Sequence, residues 1–120
     1  MQKMISYLPY IVAVAGGWTL LNGVLHDIFV LTSEHGKQYD RNLLRLLMDG
    51  HILITCGAVQ LLCFKGIQSG IPYANYIAFA ATLSLLVYCG MIFPFLKSIG
   101  MMLVQTVVLV ALISKIFFNN

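Results

Sequence analysis

Two imidazoles and two carboxylates, His26, Asp27, Asp49 and His51, stand inside otherwise apolar stretches of this 120-residue chain. A charge at the centre of a membrane helix costs about 2.5–3.5 kcal/mol on insertion scales, so ionisable groups in such stretches are the natural candidates for chemistry. Imidazole changes charge near neutral pH and can carry a proton, act as general acid or base, or ligate a metal. A shielded carboxyl beside it can donate and accept a proton across one substrate bond, because burial draws both titrations toward neutrality.

Helical periodicity sorts these groups by face. At about 100° per residue, Trp18, Asn22 and His26 form an i, i+4, i+8 stripe with Thr19 beside it, and Asp27 points away from that stripe. Further along, His51, Thr55 and Ala58 share one face. Asp49 falls nearly opposite, one turn after Arg45, with Cys56 and Gln60 beyond it. Arg45 and Asp49 at i, i+4 are expected to form a structural ion pair. Tyr88, Ser84, Ala81 and Ile77 align, Ala80 and Ser84 offer a small-xxx-small approach, and Ser98, Met101 and Gln105 align. Asn22, Gln60, Tyr88 and Gln105 can serve as interhelical hydrogen-bond partners, at about 0.6–2 kcal/mol each.

The elements that must position these residues follow from composition. Hydrophobic residues make up 60% of the chain and charged residues 9%, against about 45–50% and about 25% in soluble domains. Such a chain cannot cover a soluble surface, which excludes a disordered protein, a nucleic-acid-binding module and an ordinary cytosolic enzyme. Seven basic and four acidic side chains give a net charge of +3. The basic ones (Lys3, Lys37, Arg41, Arg45, Lys65, Lys97, Lys115) are dispersed, so they anchor at an interface and build no phosphate-tracking patch. Four apolar runs, 7–31, 43–64, 73–96 and 98–118, are each long enough to cross roughly 30 Å of hydrocarbon at 1.5 Å per residue. Backbone satisfaction in lipid requires each to be helical.

The expected fold is therefore an all-α integral membrane protein, one domain over residues 1–120, with four antiparallel transmembrane helices in a compact bundle. The polar loop is 32–42, where Asp40 or Asn42 can cap the second span. Residues 65–72 (KGIQSGIP) read as a turn, and Pro94 to Gly100 as a tight connection or kink. No internal repeat is evident. Lys3 followed by Ala13-Val14-Ala15 has the outline of a signal peptide, but cleavage there would cut an apolar run, so a retained helix is expected. An even number of spans puts both termini on one side. Three basic residues on that side against four on the other leave the side open and permit an antiparallel dimer. Antiparallel neighbours bring His26, Asp27, Asp49 and His51 to a common depth, roughly 6–12 Å below one surface.

Several functions are compatible with that cluster. The leading one is handling of protons or a small solute, with His51 and Asp49, supported by Asn22 and Tyr88, exposed alternately to the two sides. In size and helix count the chain is similar to the small multidrug resistance transporters, which implies a dimer, although its first span lacks a central carboxylate. The alternative is a membrane-embedded acid–base enzyme acting on a lipid or isoprenoid. His26-Asp27 near the end of one span and Asp49 on the next resemble the sterol-isomerase-like (EXPERA) membrane family over two of the four helices.

No resident cofactor is expected, although His26 and His51 could ligate a b-type haem with Arg41 or Arg45 near its propionates, or could share a divalent metal with a carboxylate. A non-catalytic accessory subunit, docking through its polar second span onto a larger membrane complex, is a further alternative. The chain contains no HExxH, GxSxG or phosphate-binding glycine loop. Cys56, Cys63 and Cys89 form no CxxC pair and read as small hydrophobes. Expected partners are the bilayer and either a second copy or a larger complex, with no nucleic acid. An aqueous cavity reaching His51 and Asp49 speaks for transport. An apolar slot opening sideways and ending at His26 and an acid speaks for the enzyme.

Overall fold

The computed structural model describes residues 2–118 and is all-helical. A short helix α1 (Gln2–Ser6) precedes four long ones: α2 (Leu8–Thr32), α3 (Arg41–Gln68), α4 (Pro72–Ile92) and α5 (Ile99–Phe118), with a 3-10 turn at Glu34–Lys37 between α2 and α3. All four long helices have the length and apolarity to cross a membrane. They lie side by side along a body measuring 51 × 27 × 18 Å.

Local chemistry sets the helix ends. Pro9 lacks the N–H that would continue α1 into α2, and the chain breaks at Tyr7. Asp40 caps α3, its carboxylate accepting from the Leu43 N–H at 2.9 Å. Replacing Asp40 with alanine is expected to lower stability by about 1 kcal/mol. Thermal unfolding in detergent checks this, with Asn42→Ala as the neighbour that leaves the melt unchanged.

α3 runs four residues past the expected end and closes in a Schellman turn. Gly70 takes φ +77°, its N–H donates to Ile67 at 3.1 Å and the Ile71 N–H donates to Gly66 at 2.9 Å. Pro72 then starts α4. α4 stops at Ile92, short of the expected 96, because Pro94 cannot donate to the preceding turn. The Phe95 and Leu96 N–H groups fold back onto the Ile92 carbonyl, and Lys97 lies 5.9 Å over the Phe93 ring.

The helices pack in a ring, α2 on α3, α3 on α4, α4 on α5 and α5 on α2. The α2–α3 seam is the most extensive and the α5–α2 seam the least. Glycines explain the first. A Cβ on Gly16 would stand 2.7 Å from the Gly57 carbonyl oxygen, and one on Gly23 would stand 2.7 Å from that of Gly50. Backbone therefore meets backbone at two levels seven residues apart. On α4 the packing face is Ala74, Ala78, Ala81 and Leu85. Ile77, Ala80 and Ser84 are exposed. The expected close approach through Ala80 and Ser84 is thus displaced onto a neighbouring face, since the apolar residues all round α4 left its buried stripe undefined in the sequence.

Candidate functional site

A closed layer of neutral polar groups crosses the middle of the bundle, one from each long helix: Thr19, Gln60, Thr82 and Gln105, all fully buried. Gln60 Nε2 donates to Gln105 Oε1 at 2.7 Å and to Thr82 Oγ1 at 2.8 Å. Gln105 Nε2 donates to Thr19 Oγ1 at 2.9 Å and, at 3.4 Å, to Gln60 Oε1. The threonine hydroxyls pass their own protons to the Ala78 carbonyl and to Met101 Sδ. Every amide proton has an acceptor, so the layer holds the helices together and leaves no group for a solute.

On the side of this layer nearer the α2–α3 turn lies a cavity of about 220 Å³. α2 lines it with the expected stripe Trp18, Asn22 and His26, α4 with Tyr88, and the α4–α5 connection with Ser98. Asn22 Nδ2 donates to the Trp18 carbonyl at 2.7 Å, which among the described residues leaves its side-chain carbonyl oxygen free to accept. The Ser98 hydroxyl is buried with only the Cys89 thiol as a polar neighbour. A thiol is a weak hydrogen-bonding partner, so a polar group in the cavity would satisfy the hydroxyl better.

Two of the residues lining this space, His26 and Tyr88, have a carboxylate neighbour outside it. His26 Nδ1 stands 3.5 Å from Asp27 Oδ1, with the two side chains 29% and 22% exposed. If that contact holds the proton on Nδ1, Nε2 is left as the atom that accepts one. Asp27 is itself pressed onto α3, its carboxylate occupying the space a side chain on Gly50 would need. The Tyr88 phenol lies within electrostatic reach of the Asp49 carboxylate, which favours keeping its one proton in place.

The remaining sequence candidates lie elsewhere. His51 is exposed on the outer face of α3, apart from the cavity. The expected Arg45–Asp49 ion pair is absent among the described residues, where the pairs are His26–Asp27 and Glu34–Lys37. Arg45 is exposed and extends away from the bundle, while Asp49 turns inward to Tyr88. Among the described residues no three His, Cys, Asp or Glu side chains converge as a metal site would require.

A second, larger space of about 570 Å³ opens sideways between α2 and α5, where helix packing is loosest. Tyr10, Val14 and Trp18 on α2 and Val104 and Val107 on α5 line it, and its walls are almost wholly apolar. Trp18, 39% exposed, borders both spaces. The two together follow α2 from His26 back to Tyr10, about 24 Å at 1.5 Å per residue.

Comparison with protein-family models, curated proteins and solved structures yields no match. The chemistry must therefore be read from the geometry: a largely apolar cavity carrying an imidazole, a carboxamide, a phenol and a hydroxyl, which adjoins an apolar slot at the Trp18 indole. The sequence aligns Ser98 with Met101 and Gln105 but assigns it no place in the site, and it allows a lateral slot without locating one. The slot had a weak signal, since valines at 104, 107 and 108 face an α2 stripe that turns from polar at His26 to apolar at Tyr10.

Proposed function

We propose that the chain inserts as four antiparallel spans with both termini on one side, and acts as an acid–base enzyme on a single-chain amphiphile, a lipid or isoprenoid. Hydropathy supports the insertion. The reversed order of the glycine contacts, Gly16 with Gly57 and Gly23 with Gly50, supports the antiparallel α2–α3 pair. The observation that carries the function is Trp18, which borders both a cavity carrying a few polar groups and a laterally open apolar slot, so that the two spaces adjoin along α2. That shape suits a ligand with one polar end and one apolar chain. The head would meet His26, Asn22, Tyr88 and the Ser98 hydroxyl, with His26 exchanging a proton with it and the neutral Tyr88 phenol and Asn22 amide orienting it. The tail would lie along α2 and α5.

The solute-path reading is less well supported, because a polar route along the bundle axis would have to pass the closed Gln60–Gln105 layer, and His51 faces outward.

The test is mass spectrometry of the protein released gently from native membranes. The wild-type chain is expected to retain an amphiphile near one per protein. Val107→Trp, which fills the slot, is expected to reduce retention roughly tenfold, while Leu103→Trp on the exposed face of α5 leaves it unchanged. His26→Ala is expected to preserve tail binding but abolish turnover of the retained species. Wild-type protein that carries no amphiphile, yet conducts protons in vesicles, would overturn this reading in favour of the solute path.

A further inference from the structure

The outer face of α3 is unlike that of the other three long helices. Leu44, Met48, His51, Thr55, Ala58 and Leu62 follow one another at alternating spacings of four and three, the seam of a heptad repeat. All but the half-buried Ala58 are exposed, Leu62 by 80% and Met48 by 60%. This seam points away from the bundle that α3 has already joined through Gly50, Gly57 and Gln60, which are buried.

Its polar members are the unusual feature. Arg45 and Lys65 on the same helix are exposed and lie twenty residues apart, about 30 Å at 1.5 Å per residue, matching the hydrocarbon thickness. Between those levels Thr55 is at the midpoint and His51 is about 9 Å inside the Arg45 level. Thr55 can return its proton to its own helix backbone, as the exposed Thr106 does to the Met102 carbonyl at 2.6 Å. An imidazole has no such refuge, and none of the side-chain hydrogen bonds among the described residues involves the His51 ring. On the exposed surfaces of the other spans, the described residues place no imidazole or charged side chain at this depth. In hydrocarbon such a group needs a partner.

We infer that a second copy of this chain packs parallel to the first along the outer seam of α3, pairing His51 with His51 across a two-fold axis normal to the membrane. A neutral imidazole has one N–H donor and one acceptor nitrogen, so it is complementary to another copy of itself. The orientation follows from register. A two-fold axis in the membrane plane through the Thr55 level would set His51 against Val59 and Met48 against Leu62, leaving both imidazoles among aliphatic side chains. Only the parallel arrangement places them level, with Thr55 and Ala58 small enough one turn on for the backbones to approach. The inference rests on the membrane insertion proposed above but not on the amphiphile site.

Disulfide trapping of the full chain in native membranes tests it, with resistance to alkaline extraction read in parallel as the measure of insertion. Met48→Cys is expected to give a covalent dimer under mild oxidation, whereas Val110→Cys on the exposed face of α5 does not. Adding His51→Leu to Met48→Cys is expected to cut trapping roughly tenfold while the protein stays membrane-inserted, since leucine suits a lipid-facing site. His51→Asn, which keeps a donor and an acceptor, restores it. Trapping between Met48→Cys and Leu62→Cys chains, with none between two Met48→Cys chains, overturns the parallel arrangement. Undiminished trapping in His51→Leu overturns the role of the imidazole. A chain that is inserted yet monomeric, or found only with a different protein, overturns the dimer. Release by alkali overturns the insertion itself, and this inference with it.

Discussion

Gly57→Ala is expected to destabilise the protein by about 2–3 kcal/mol, while Gly17→Ala leaves it unchanged or slightly more stable. The two residues differ only in what a methyl group would meet. At Gly57 it would stand 2.6 Å from the Leu20 backbone nitrogen and 2.8 Å from the Gly16 carbonyl oxygen; at Gly17 nothing lies within 4 Å. Backbone atoms inside a helix cannot swing aside as a flexible side chain does. α2 and α3 must separate along their length, which also loosens the Gly23–Gly50 level. Helix propensity works in the opposite direction and favours alanine by about 1 kcal/mol at either site, so the sign at Gly57 depends wholly on the close approach. Unfolding by SDS titration, followed by far-UV circular dichroism, reads both variants. Equal midpoints for the two would show that the helices do not touch as described.

The same seam ties stability to the candidate chemistry. Gly50 gives its side-chain space to the Asp27 carboxylate, and Asp27 is the neighbour of His26. Asp27 points away from the Trp18–Asn22–His26 stripe, as helical periodicity requires, and its carboxylate finds room beside His26 because the facing helix has a glycine there. The backbone of α3 thus sets where the carboxylate of α2 can stand.

Much of this architecture was legible in the sequence because it depends on local rules. Run lengths gave the four long helices, Asp40 gave a cap, Gly70 and Pro72 gave a turn, and a spacing of four placed Trp18, Asn22 and His26 together. The misreadings fall where a local rule had to be extended across space. Arg45 and Asp49 satisfy the spacing for an ion pair, yet a carboxylate with a phenol from another helix in reach turns inward, and an arginine near a helix end extends outward. The common depth of the four ionisable groups suggested a single cluster. Depth fixes only one coordinate, and azimuth sends His51 outward. The seven-residue spacing of Gly16 with Gly23 and of Gly50 with Gly57 was readable as a close-packing signal. Its meaning depends on which helix faces which, since a glycine specifies a close approach only when a second backbone stands opposite.

Removing one carboxamide from the central layer is expected to cost more than its share of removing both. Gln60→Leu and Gln105→Leu are each expected to lower stability by about 1–3 kcal/mol, because the surviving amide is left fully buried with its carbonyl oxygen unpaired and one N–H without an oxygen acceptor, Met101 Sδ alone lying near that of Gln105 among the described residues. The double variant leaves no orphan. Thr82 still donates to the Ala78 carbonyl and Thr19 to Met101 Sδ, each losing only a proton it accepted, and two leucines of similar volume occupy the space. Its cost is therefore expected to fall below the sum of the singles by about 1 kcal/mol or more, a coupling readable from a double-mutant cycle with the same SDS titration. Strictly additive costs would mean the amides act separately. Coupling of that sign has a structural consequence. Each glutamine donates once to the other and once to a threonine of the opposite helix pair, Gln60 of α2–α3 to Thr82 and Gln105 of α4–α5 to Thr19. The layer is an exchange between two helix pairs that closes only when both are in place, so it selects the assembled four-helix arrangement over either pair alone. The apolar residues around it, equally content against lipid, cannot make that selection.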